Sequence, residues 1–325
     1  MSISTRLTEL LGIRHPIVLA PMAGVSGGAL AGAVTAAGGL GMIGGGYGDA
    51  AWLETQLAAA GNHRVGCGFI TWALAQRSEL LGPVLARRPA AVMLSFGDPR
   101  PFAAAIKAAG SLLICQAQTL AHVDDALAAG ADIIVAQGTE AGGHGGVRST
   151  LPFVPQVVDL VARRQPRTVV MAAGGIADGR GLAAALMLGA EGVLVGTRFY
   201  ASAESLAHAN AKAQMAAARG EETVRTTTID SVRGIPWPAE FTLRVMRNDF
   251  VDRWHGAEAA LAENLPREAV RYQGAAAVGD FTTAAVLGGE AIGLFDTVPP
   301  AGEIVTRMVA EAEAALRRGG ASIAI

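Results

Sequence analysis

The chain has 325 residues, 51% of them hydrophobic and 17% charged, with a formal net charge of -2. That is ample material for one large buried core and is unlike the composition of a disordered chain. The 26 lysines and arginines are spread along the sequence rather than gathered into a stripe, so neither nucleic acid nor a membrane surface is expected as a partner.

In chain order, residues 1 to 16 carry Arg6, Glu9 and Arg14 and lack an apolar stretch with a small-residue cleavage site, so no secretory signal is expected. Cys67 and Cys115 stand in apolar, strand-like runs without CxxC spacing. They read as core residues of a cytoplasmic protein, not as a disulfide or redox pair. Between Pro16 and Ala50 only Asp49 is charged, which raises the question of a membrane span. Pro21, Gly24, Gly27, Gly28, Gly38 and Gly39 answer it, dividing the segment into strand, loop, helix and strand, each too short to cross a bilayer.

Eight β-branched or apolar runs then mark strands: IVLA (17–20), LGMI (40–43), VGCGF (65–69), AVMLSF (91–96), SLLICQ (111–116), DIIVAQ (132–137), TVVMAA (168–173) and GVLVGT (192–197). Alanine-rich helical stretches separate them, several stopped by glycine just before the next strand, as at 108–110 and 128–130. Alternating strands and helices imply a parallel sheet. Their even spacing over some two hundred residues favours a closed (β/α)8 TIM barrel over a doubly wound open sheet. After the eighth strand, residues 226–256 concentrate Trp237, Phe241, Phe250 and Trp254 among arginines and read as a smaller, mainly helical lobe laid over the mouth. The expected division is a barrel over 1–220, a substrate-side lobe over 221–300 and a C-terminal helix over 301–325 that returns to the barrel wall.

The unusual residues fall in loops after strands, which in a barrel converge on one mouth. AAGGIADG (172–179) and GTRF (196–199) follow the seventh and eighth strands, where barrels commonly hold phosphate on backbone N–H groups. APMAG (20–24) follows the first and could lay backbone against a flat ring. GLGMIG (39–44) overlaps a strand instead of linking strand to helix, so it fails as a dinucleotide fingerprint. GVSGG (24–28) lacks the strand context of a nucleophile elbow. No His/Cys cluster has metal-ligand spacing. Among six histidines, His144 alone lies in a loop at this mouth, QGTEAGGHGG (137–146), where an imidazole can take or give a proton near neutral pH. Glu140 could orient His144 or cap the following helix.

The stretches IVLAPMAG, QGTEAGGHGG and AAGGIADGRGLAAALMLGAEGVLVGTRF together resemble the nitronate monooxygenase (formerly 2-nitropropane dioxygenase) family of FMN-dependent TIM barrels. RGIPWP, RNDFVDRW and GGEAIGLFDTVPPAGEIV resemble later stretches of bacterial members. The resemblance implies an isoalloxazine ring against Pro21, Met22 and Ala23, reached by Gln116 and lined by Gly143 beside a catalytic His144. It implies an FMN phosphate on Ala173, Gly174, Gly175, Gly196 and Thr197. The chain departs from related members at Gly68, where they carry a flavin-contacting asparagine, and has no counterpart of one class's tyrosine-rich pocket. The implied activity is a flavoprotein monooxygenase acting on alkyl nitronates, or on nitroalkanes, with O2 to give carbonyl compounds and nitrite. An NAD(P)H-dependent flavin reductase of quinone-reductase or enoyl-ACP-reductase type is the alternative, and a non-catalytic flavin-binding module ranks below it. Substrate identity and oligomeric state stay open, a homodimer being one expectation.

Overall fold

The computed structural model describes residues 3–321, so the outermost residues of the first and last expected segments, 1–2 and 322–325, lie outside it. All eight expected strands are present: β1 (Ile17–Leu19), β2 (Met42–Gly46), β3 (Gly66–Ile70), β4 (Ala91–Ser95), β5 (Leu112–Ala117), β6 (Ile133–Gln137), β8 (Val169–Ala173) and β9 (Val193–Val195). A short strand, β7 (Gly143–Gly145), intervenes and belongs to another sheet. The eight pair in parallel, and the sheet closes on itself where Leu19 N donates to Leu40 O at 2.9 Å and Leu40 N to Ile17 O at 3.0 Å. The helix-stop glycines take the left-handed conformation the sequence anticipates, with φ of 76° at Gly110 and 71° at Gly130.

Side chains alternate across each strand. Ile17, Leu19, Val92, Leu94, Leu113, Cys115, Ile134 and Val170 face outward and share one core with the surrounding helices. Val18, Met42, Met93, Ile114, Val135, Met171 and Leu194 form a second, interior core that fills the barrel. Followed one step further toward the C-terminal end, the same inward alternation reaches Gly68, Ser95, Gln116, Gln137 and Gly196. The interior is therefore bulky and apolar below and small or polar at the rim.

The segment from Pro16 to Ala50 divides as expected into β1, a loop, a helix (Gly28–Ala36) and β2. Among the described residues no helix is long and apolar enough to cross a membrane. The final helix, Ala301–Ala321, lies along the Gly179–Met187 helix so closely that a Cβ on Gly179 would fall 2.3 Å from Ala312 N.

Beyond β9 the chain builds a lobe of helices Thr228–Arg233, Asp249–Trp254 and Glu258–Val278 around Ile229, Leu243, Phe250, Val251, Trp254 and Leu261. It also holds β10 (Thr223–Thr226) and β11 (Thr242–Met246), which the sequence does not disclose. These two are antiparallel, and β11 pairs in turn with β7, setting Leu243 opposite His144. The loop after β6 is thus stitched into the lobe's own sheet.

Candidate active site

The residues expected to hold a flavin, together with His144, lie at the C-terminal rim of the barrel or on the loops above it. Pro21, Met22 and Ala23 follow β1, and the turn is tied by Ser26, whose Oγ accepts from Met22 N at 2.7 Å and donates to Met22 O at 3.2 Å. Ser26 is fully buried and serves this turn. The Pro21 ring lies over Gly68, where a Cβ would come within 2.3 Å of Pro21 Cγ. An asparagine at 68 is therefore incompatible with this placement of the loop. Gln116 accepts from Ser95 Oγ at 3.0 Å. Beside it a cleft of about 190 Å3 opens, lined by Phe96, Gln116, Gln118, His122, Glu240 and Phe241 among others.

Across the rim, Gly174 and Gly175 turn with φ of 106° and 73°. Any side chain on Gly174 would meet Thr150 Oγ1 at 2.8 Å and Gly138 O at 2.9 Å, so only glycine fits. Ala173 O accepts from Gly138 N at 2.8 Å, which joins this turn to the loop after β6. Gly196 closes the ring of contacts: a Cβ there would touch Met22 Sδ at 3.7 Å, and the Thr197 hydroxyl accepts from Gly289 N at 3.0 Å. Among the described residues, the N–H groups of Gly175 and Gly196 have no acceptor. A cleft of about 360 Å3 adjoins Gly174 and Gly175 and includes Glu140 and Glu290 in its wall. Both acids are occupied, Glu290 by Arg244 at 2.9 Å and Glu140 by Thr150. Bare main-chain donors beside a glycine turn, with the nearby carboxylates already engaged by Thr150 and Arg244, suit a phosphate.

Thr150 N and Oγ1 donate to the Glu140 carboxylate at 3.0 and 2.7 Å, the N–H belonging to the first turn of helix Thr150–Arg164. Of its two sequence readings, Glu140 therefore caps the helix and does not hold His144. The partner of His144 is Asp230, 86 residues further on, with Nε2 2.9 Å from Oδ2. Nothing in the sequence singled out Asp230. The imidazole is buried and lies flat on the Trp237 indole, centroids 3.4 Å apart and planes 11° from parallel. Trp237 donates from Nε1 to the Tyr47 hydroxyl at 2.8 Å and meets Trp72 and Phe96 edge-on. Burial holds His144 below its ordinary pKa, against the opposing pull of Asp230, which favours the neutral ring.

The backbone of this loop is held from both sides. Gln137, at the end of β6, donates from Nε2 to His144 O at 3.1 Å and accepts from Gln118 at 2.8 Å. From β10 the half-buried Arg225 donates to carbonyls of Thr139, Gly145 and Thr242, and Arg244 of β11 adds a bond of 2.9 Å to Thr139 O. Burial pushes the Arg225 pKa down to about 10, and it remains a cation. Gly143 takes φ of 77°, where a Cβ would meet nothing within 4 Å; there the need for glycine is conformational. Cys67 and Cys115 are buried, free and pushed up to about 12, so they hold no thiolate. Among the described residues no group of three or more His, Cys, Asp or Glu could hold a metal.

A filled parallel barrel with its polar residues gathered on the loops after the strands is the architecture of a (β/α)8-barrel enzyme, and comparison with known proteins makes it an oxidoreductase. The chain belongs to the nitronate monooxygenase family, whose model matches residues 4–63 and 71–311. A nitronate monooxygenase of Neurospora crassa is 31% identical over 349 residues, 94% of this chain and 91% of that one. The structure of FabK from Thermotoga maritima superposes with a TM-score of 0.86 at 31% identity, covering 99% of this chain and 100% of that one. A nitroalkane oxidase from Streptomyces ansochromogenes superposes with a TM-score of 0.81 at 28% identity, covering 96% and 99%.

Proposed function

We propose that the protein is an FMN-dependent nitronate monooxygenase whose substrates are alkyl nitronates, or nitroalkanes, and O2. The observation that carries this reading is the placement of a buried imidazole, held by Asp230, on the same rim as a glycine cradle with unpaired amides, in a chain of this family. Ala173, Gly174, Gly175, Gly196 and Thr197 would hold the phosphate by main-chain contacts, and Pro21, Met22, Ala23, Gln116 and Gly143 would face the ring. The bound flavin would supply one-electron oxidation of the nitronate, after which dioxygen yields the carbonyl compound and nitrite.

His144 would take the α-proton of a neutral nitroalkane or hydrogen-bond the nitro oxygens of a nitronate. As a neutral group in a dry setting it has a lone pair to offer at pH 7. The Trp237, Phe96 and Tyr47 rings would keep water from the reacting carbon. The test is nitrite release from alkyl nitronates in air, run beside NADH oxidation with quinones. Nitrite formed in step with nitronate loss supports the reading, and NADH-dependent quinone turnover without nitrite rejects it. The likeness to FabK favours as second reading an NAD(P)H-dependent flavin reductase of quinone-reductase or enoyl-ACP-reductase type. Against an acyl-carrier partner, Lys107 and Lys212 are the only lysines, and Lys212 is spent on the carbonyls of Ser202, Ala203 and Ser205.

A further inference from the structure

Two questions about His144 remain at the level of atoms: what fixes the ring, and which nitrogen is free. The side chains of His144 and Asp230 are 7% and 9% exposed, and the contact between them runs from Nε2 to Oδ2. A carboxylate only accepts, so Nε2 carries the hydrogen and the lone pair of the neutral ring is at Nδ1. Nδ1 has no partner among the described residues. The ring cannot turn over freely, because Trp237 covers one face and Phe96 stands edge-on at 6.3 Å. Two other charged groups bear on it, Arg233 from the helix of Asp230 and Arg225 from β10, both disfavouring its protonation. The second carboxylate oxygen, Asp230 Oδ1, is buried without a partner. A half-satisfied buried carboxylate is costly to folding, and the stability of the lobe gives no reason to retain one.

We propose that Asp230 is a positioning residue, which fixes the Nε2–H form of His144 so that Nδ1 is the atom that accepts the substrate proton. In that step the α C–H bond of the nitroalkane breaks and Nδ1–H forms. The electron pair moves onto the nitro group, leaving a nitronate, and the new imidazolium is stabilised by the carboxylate. The proposal rests on the proton-transfer reading of His144, and it makes the lobe, not the barrel, the source of the orienting group.

The experiment is a long-range 1H–15N spectrum of 15N-histidine-labelled protein, with the His144 ring assigned by its loss in His144→Gln. The wild type should show the neutral Nε2–H form. In Asp230→Asn, which keeps the shape of the side chain, the ring should move toward Nδ1–H. Turnover of a neutral nitroalkane should then fall on the order of a hundredfold or more. A preformed nitronate should lose less, and the acid limb of kcat/KM should move to lower pH because a group that raises the ring's pKa is gone. Asp230→Glu should recover part of the loss. A wild-type ring in the Nδ1–H form overturns the proposal without recourse to any variant, as does Asp230→Asn with wild-type tautomer and pH profile. Full turnover by His144→Ala would instead remove the proton-transfer reading beneath it.

Discussion

Between Ile17 and Val195 the chain repeats one unit, a short apolar strand followed by an alanine-rich helix, whereas between Thr223 and Met246 nothing repeats and two arginines, one buried and one half-buried, donate to backbone carbonyls. The first region is held by burial, which is non-directional and tolerates exchange of one apolar side chain for another. The second is held by a few directional bonds, each made by one residue. Yet this second region brings Asp230 and Trp237 to His144. The repeating part provides a rim, and the irregular part determines what happens on it.

The largest expected effect lies where the two regions meet. His144→Ala should keep the bound flavin and the thermal midpoint while turnover of a nitroalkane falls about a hundredfold to ten-thousandfold, read by nitrite release. Unchanged steady-state rates with nitroalkane and nitronate would refute the role. In the wild type the acid limb of kcat/KM should lie below that of an ordinary imidazole, since burial lowers the ring's pKa and the active form is the neutral one.

That divide also decides what could be read from the sequence. The eight barrel strands are legible because each is a local run of apolar residues bounded by glycine, and the glycine-rich loops proposed to hold phosphate because they follow those runs. β7 is illegible because Gly143–Gly145 carries a single side chain. β10 and β11 are obscured by Arg225 and Arg244, charged residues whose burial only the carbonyls of a distant loop make tolerable. The His144–Asp230 pair spans 86 residues and leaves no trace in local periodicity. Glu140 was legible only as a choice between two roles, settled by the nearness of Thr150.

The next effect sharpens the contrast in stability. Arg225→Ala removes a half-buried cation and a donor from the carbonyls of Thr139, Gly145 and Thr242, and should cost about 2 kcal/mol in urea unfolding. A loss under about 0.5 kcal/mol would mean that the stitching of the lobe is incidental. Gly68→Asn, which restores the family's asparagine, should cost about 2 kcal/mol, because the new Cβ must displace the Pro21 ring. If it is neutral and raises flavin affinity, the β1 loop is freer than its packing indicates. The smallest effect is that of Glu140→Gln, which keeps an acceptor for Thr150 but loses the charge at a helix N-terminus, about 0.5 to 1 kcal/mol with turnover preserved. A large loss of turnover would return Glu140 to the catalytic apparatus.

We propose that this rim oxidises a nitronate on a bound flavin, with the lobe orienting the imidazole of the loop after β6. Rapid anaerobic mixing of the purified yellow protein with an alkyl nitronate, and separately with NADH, tests it at the flavin's visible absorbance. A prompt change with the nitronate, restoration of the oxidised spectrum and nitrite on admitting air, and a slow or absent response to NADH are expected. Prompt bleaching by NADH with no response to the nitronate would contradict it.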